Sequence, residues 1–131
     1  MITVDKAGFP HVALISWYEV VAVDRGTLRV GLRATSQTSE NLRERRIGTA
    51  IFVAGGAAYY VKGRVEGESS LPLFPDLTSF RLRMEQVLED KKRGVPLLRG
   101  IRFRPPRDPK FLQMGKALLL ALKRSSEGGV G

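Results

Sequence analysis

Residues 33–42 gather more potential ligand-binding side chains than any other stretch of this chain. They read Arg33, Ala34, Thr35, Ser36, Gln37, Thr38, Ser39, Glu40, Asn41 and Leu42. Four hydroxyls and two amides collect there, where an apolar strand at residues 26–32 hands over to a short basic helix. Such a junction presents free backbone N–H groups and the positive end of a helix dipole, so it suits a phosphate. The competing reading is a helix cap with spare hydroxyls, since Ser and Thr are favoured at caps for local reasons.

Composition removes several other chemistries. The chain has no cysteine and one histidine, His11. Disulfides, thiolate metal sites and Cys nucleophiles are therefore excluded, and a multi-histidine zinc site cannot be built. A lone histidine beside a turn is a weak catalytic candidate. The net charge of +9, from 22 Lys and Arg against 13 Asp and Glu, fits an anionic partner as well as it fits simple solubility. The first residues lack the basic-then-apolar layout of a signal peptide. The longest apolar run, residues 117–122, is too short to span a bilayer. The expected location is the cytoplasm, with no membrane partner.

The elements that must position residues 33–42 follow from period and punctuation. Residues 5–10 form a turn-rich opening. Residues 11–16 read as a strand buried on both faces, and residues 17–23 as a second strand after a bend. Asp24, Arg25 and Gly26 supply a hairpin turn. The third strand follows, with Leu28, Val30 and Leu32 on one face. After the short helix, which Gly48 is expected to cap, residues 49–54 form another strand. Gly55 and Gly56 mark a tight turn. Residues 57–67 then alternate, with Tyr59, Val61, Gly63 and Val65 on one face and Tyr60, Lys62, Arg64 and Glu66 on the other. Gly63 inside that strand signals a bulge or the close approach of another segment.

Residues 68–75 read as a loop. From 76 to 93, Leu77, Phe80, Met84, Val87 and Leu88 fall at three- and four-residue steps, which predicts an amphipathic helix with Asp76 and Gly94 as its caps. Residues 100–104 read as a strand. Asp108 and Pro109 open a last helix, with Phe111, Leu112, Gly115, Leu118, Leu119 and Leu122 on its buried face. The expected fold is mainly β with helices. About six antiparallel strands form a small barrel, with a short helix after strand 3 and two C-terminal amphipathic helices. Residues 1–124 form a single domain and residues 125–131 a flexible tail.

The motifs Gly8-x-Pro10-His11-Val12-Ala13, Asp24-x-Gly26-Thr27-Leu28, Thr35-Ser36-x-Thr38-x-x-Asn41-Leu42 and Val61-x-Gly63-x-Val65-x-Gly67 occur in this order. Together they resemble the pyridoxamine 5'-phosphate oxidase-like flavoproteins, over about residues 5–67. The resemblance implies a split β-barrel that binds FMN, with the 33–42 segment gripping the phosphate. On that basis the cofactor-binding residues are Ser16, Arg33, Thr35, Ser36, Gln37, Thr38 and Asn41. Thr38 stands where the family pattern has a basic residue, so the phosphate contact is weakened; Arg33, Arg43 and Arg46 are the nearby cations that can replace the charge. The resemblance further implies a homodimer with flavins at the subunit interface. The strand at residues 12–16 would then run along the ring, with Trp17 and Tyr18 stacking near it or packing the interface. Tyr59, Tyr60 and Lys62 are expected to border the same cleft.

The chemistry this implies is oxidoreduction of a small-molecule substrate. A flavin carries that chemistry itself, so no catalytic side chain needs to be identified. Binding of flavin or another cofactor without catalysis is the alternative, because fold does not settle activity. The rival from a different class is a nucleic-acid-binding domain built on Arg99, Arg102, Arg104, Arg107 and Lys110, with Phe103 for stacking. It is the weaker reading: Phe103 alternates with the arginines and should point inward, and no aromatic-rich RNA-binding signature is present. A third reading uses the C-terminal leucine-rich helix as an interaction surface.

Overall fold

A computed structural model describes residues 1–100, 104 and 108–124. The strand expected at residues 100–104 and the tail at residues 125–131 fall largely or wholly outside the described residues. The described residues are mainly β with two helices. Its strands are β1 (Ile2–Val4), β2 (Pro10–Val12), β3 (Val20–Ala22), β4 (Thr27–Arg33), β5 (Ile47–Ala54), β6 (Ala57–Ser70) and β7 (Leu77–Asp90). The helices are α1 (Gln37–Arg45) and α2 (Pro109–Arg124). The strands make one antiparallel sheet in the order β2-β1-β5-β6-β7-β4-β3.

The sheet has seven strands rather than the expected six, and it is not closed. β2 and β3 stand at its two edges. The expected long strand at residues 11–16 shrinks to the three residues of β2, and residues 13–19 cross the gap without pairing into the ladder. Val12 and Leu14 are 65% and 58% exposed, so this segment is not buried on both faces.

The larger correction concerns residues 76–93. They form β7, and among the described residues one amphipathic helix, α2, follows the strands. The reason is a register shift. Lys62 pairs with Gln86 and Gly63 with Met84, so Glu85 is an extra residue in β7. Before it, Thr78, Phe80 and Leu82 alternate inward as a strand requires. After it, the phase slips by one, and Val87 faces Val61. The spacings Phe80 to Met84 and Met84 to Val87 therefore become four and three, a helix-like pattern made by a β-bulge. Helix-favouring Met, Glu, Gln and Leu reinforced the misreading, and tertiary pairing with β4 and β6 overrides them.

Other local expectations follow their chemistry more closely. The Asp24 carboxylate accepts from the Gly26 N–H at 2.7 Å, closing the β3–β4 turn. Gly55 and Gly56, at φ 57° and 84°, make the two-residue β5–β6 turn that requires the left-handed region. Gly63 meets β7 closely: a Cβ there would lie 3.2 Å from the Leu82 Cβ and 3.3 Å from the Arg83 carbonyl. α1 ends two residues earlier than expected, with Arg46 rather than Gly48 in the left-handed C-cap position.

The core lies inside the curved sheet. Val30, Leu32, Val65, Phe80 and Leu82 meet Leu42 from α1 there. Leu28, Ala50 and Val61 extend it toward β5 and β6. On the outer side, Leu118 and Leu122 of α2 pack with Leu71, Tyr18 and Val21. Gly31 lets α2 approach, since a Cβ on it would sit 3.2 Å from Leu122. Asp108 accepts from the Lys110 N–H at 2.9 Å at the start of α2. Among the described residues no helix is long and apolar enough to cross a membrane.

Candidate functional site

Two features compete for the role of a site, the start of α1 and a cavity at the open seam of the sheet. α1 begins at the junction the sequence singled out. Ser36 is its N-cap and accepts from the Ser39 N–H at 3.2 Å. The Ser36 hydroxyl donates to Ser39 Oγ at 3.1 Å, and Ser39 Oγ donates to the Arg33 carbonyl at 2.7 Å. The Gln37 amide donates to Asn41 Oδ1 at 2.8 Å, and Asn41 Nδ2 donates to Thr3 Oγ1 at 3.0 Å. This chain of bonds ties α1 to β1.

The seven residues expected to hold the cofactor therefore divide. Thr38 and Asn41 are buried, at 3% and 1% exposure, and Asn41 spends its amide on protein partners. Ser36 is half-buried and works as the cap. Arg33, Thr35 and Gln37 are exposed around the helix N-terminus. Ser16 lies apart, in the cavity wall. Its N–H donates to a Glu19 carboxylate oxygen at 2.7 Å.

The neighbouring cations are also sorted by the geometry. Arg43 binds Glu68 at 2.7 Å, donates to the Ala34 carbonyl at 2.8 Å and stands over the Phe80 ring. Its hydrogen bonds to Glu68 raise its pKa and hold the Glu68 carboxyl below its ordinary range. Thr78 adds a second donor to Glu68 at 2.9 Å. Arg46 donates to the Val65 carbonyl at 2.9 Å. The Arg33 side chain has no hydrogen bond or ion pair among the described residues, and it stands at the end of β4 beside Thr35 and Gln37. Of the three cations it is the one left to meet an anion.

The cavity measures about 670 Å³ and opens where β2 and β3 fail to meet. Residues 12–17 form one wall, residues 50–53 of β5 another, and Val30 lies at its base. Trp17 lines it and is 55% exposed. Tyr18 turns the other way. It stacks edge-on between Trp17 and Phe111, with ring centroids 5.4 and 5.6 Å apart, and packs on Gly115 of α2. The two adjacent aromatics thus serve different surfaces, Trp17 the cavity and Tyr18 the outer core.

His11, Tyr59, Tyr60 and Lys62 do not line the cavity. His11 pairs with Thr3 in the β1–β2 ladder. The Tyr60 hydroxyl donates to Asp90 at 2.5 Å, and that hydrogen bond raises the Tyr60 pKa. The residues missed by sequence reasoning are Ile51, Phe52 and Val53 of β5, together with Leu98, Arg99 and Gly100. Arg99 was visible only as part of a basic run. Nothing in its spacing tells that the segment folds back onto β5.

No family model matches the chain. A solved F420 reductase shares the fold, with a TM-score of 0.56 at 18% identity over 66% of this chain and 85% of its own. The likeness is one of fold. In sequence, the chain is 35% identical over 128 residues to the uncharacterized protein YclD of Bacillus subtilis (strain 168), across 93% of this chain and 80% of YclD. The chain belongs to the same family as YclD.

Proposed function

We propose that this chain binds FMN and acts as a homodimeric flavin-dependent oxidoreductase on a small molecule. The observation that carries the reading is the cavity at the sheet seam. Its volume lies within the range of small-molecule sites, roughly 300–1,000 Å³, and its walls are apolar apart from a few polar groups, as a flat ring system requires. Trp17 supplies an aromatic neighbour. The neighbour with the same fold is an F420 reductase, which supports a flavin or deazaflavin type of cofactor.

The fit differs between the two ends of FMN. The ring end suits the cavity, with Ser16 and the backbone of residues 12–16 beside it. The phosphate end suits Arg33, Thr35, Gln37 and the free N–H groups of the first α1 turn. Arg33 lies three positions along β4 from Val30 at the cavity base, about 10 Å along a strand, which a ribityl chain can bridge. Thr38 and Asn41 contribute through the helix they hold in place, since both are buried. When bound, the flavin supplies the redox chemistry. The chain's own residues position it and exclude water.

A second copy of the chain fits the exposed apolar surface around the cavity. Val12, Leu14, Ile51 and Leu98 are 65%, 58%, 46% and 89% exposed there, an apolar surface that a second copy would cover. The test is equilibrium dialysis of the purified chain against FMN, riboflavin and F420, with its absorption spectrum and hydrodynamic mass measured in parallel. The reading expects a flavin spectrum, tighter binding of FMN than of riboflavin, and twice the 14.5 kDa chain mass. Tight F420 with no FMN binding moves the cofactor to the deazaflavin. No binding of any of the three contradicts the proposal.

A further inference from the structure

Residues 95–100 form an arm with neither helix nor regular strand, held at both ends. The Leu97 N–H donates to the Gly56 carbonyl at 2.9 Å. Pro96 lies so close to Gly56 that a Cβ there would be 3.3 Å from the proline Cβ. At the other end, a Cβ on Gly100 would lie 3.2 Å from the Val53 side chain. The arm is thus stapled to the β5–β6 hairpin by two close glycine contacts. Between the staples, Leu98 and Arg99 form part of the cavity wall.

Among the described residues that line the cavity, Arg99 brings the one ionisable side chain. It makes no hydrogen bond or ion pair with any described residue. The other charge at the wall, the Met1 ammonium, is already donated to the Ala13 carbonyl at 2.8 Å. Arg99 is an exposed residue of this wall, so its charge stays hydrated until an anion pairs with it while the apolar part of the ligand lies on the wall. Its planar fork matches a carboxylate or sulfonate with two parallel bonds. The rest of the wall, from Val12 and Leu14 to Phe52, accepts hydrocarbon.

We propose that the molecule acted on at this site is a largely apolar monoanion, such as an aryl carboxylate, and that Arg99 selects it by its charge. The inference rests on the flavin reading for its chemistry and not for binding, because the charge selection is a property of the wall alone. Leu98 and the rest of the arm then shield the anion's apolar part, while the Gly56 and Gly100 staples hold Arg99 at a fixed height above the cavity.

The test uses two probes with the same ring system. Anilinonaphthalene sulfonate carries the anion, and phenylnaphthylamine lacks it. The chain has a single tryptophan, and Trp17 lies in the cavity wall, so energy transfer from Trp17 reports probe bound there. The full-length protein is expected to bind the sulfonate more tightly than the neutral amine. Arg99→Gln should weaken the sulfonate about 10-fold, the size of one lost charge-assisted hydrogen bond, and leave the neutral probe unchanged. Arg99→Lys should restore part of the loss. Ala13→Phe, which narrows the cavity, should weaken both probes. Unchanged sulfonate affinity in Arg99→Gln overturns the proposal, as does an equal loss for both probes. Unchanged binding of both in Ala13→Phe places them outside the cavity and overturns it too. An FMN titration in the same samples separates the two ideas. Arg99-dependent sulfonate binding without FMN binding sinks the flavin reading alone, and FMN binding without Arg99 dependence sinks this one alone.

Discussion

Asn41→Ala separates the residues of the 33–42 stretch that build the helix start from those that face a ligand. Asn41 is 1% exposed and bridges Gln37 to Thr3 with bonds of 2.8 and 3.0 Å. Its removal leaves the Thr3 hydroxyl, itself 2% exposed, without its donor. Gln37 is exposed and can turn to water, so its loss is small. One buried unsatisfied group costs about 1–3 kcal/mol, and a central value of about 2 kcal/mol is expected here. For a chain of this size that corresponds to a fall in Tm of roughly 6–10 °C. The assay is thermal unfolding followed by circular dichroism, alongside FMN titration well below the new Tm. The folded variant should keep FMN affinity within a few-fold. A variant with unchanged Tm and abolished FMN binding would refute the reasoning, because it would place the Asn41 amide on the ligand rather than on β1.

Three further outcomes follow from the same geometry. Arg33→Gln should weaken FMN by about 10- to 100-fold, the range of a charge-assisted hydrogen bond, with riboflavin unaffected in the same dialysis. Gly63→Ala should destabilise the fold by about 1–3 kcal/mol in urea unfolding, because its new methyl meets the Leu82 Cβ and the Arg83 carbonyl with little room to yield. Glu68 sits below its ordinary pKa in the folded chain because of Arg43. Its stabilising contribution is therefore present above its unfolded value, about 4.3, and is lost as pH falls through the lower folded value. The pair is about one-third exposed, with side chains at 38% and 32%, so solvent screening limits the contribution to less than ~1 kcal/mol. Stability measured against pH in Glu68→Gln should lose that part of the acid slope, and an unchanged slope would contradict the assignment.

The parts of this fold set by local chemistry could be read from the sequence. The Asp24–Gly26 turn, the Gly55–Gly56 turn, the inward faces of β4 and β6, the Ser and Thr cap of α1 and the buried stripe of α2 from Gly115 to Leu122 all depend on neighbours within a few residues, whereas Leu112, expected on that stripe, is exposed. β7 was not legible because its bulge at Glu85 changes the phase of its apolar residues, and the bulge exists only in pairing with Lys62 and Gly63. β1 is three residues long and shows no period of its own. At the site, the hydroxyl cluster was legible as a helix start. Which of its members point inward was not, since the burial of Thr38 and Asn41 depends on how α1 sits on the sheet, and the Asn41 amide meets Thr3, which lies 38 residues away in sequence. Arg99 was hidden for the same kind of reason. Its place in the cavity wall depends on Gly56 and Gly100 letting the arm approach β5.

The central claim is that the seam cavity beside Trp17 holds the flavin ring. The most direct measurement is Trp17 fluorescence during an FMN titration of the intact protein, repeated on Ala13→Phe. The account predicts saturable quenching in the parent chain, because the single tryptophan lies at the ring site, and a much weaker response in the narrowed cavity. Saturable FMN binding by dialysis with no change in Trp17 emission would contradict it.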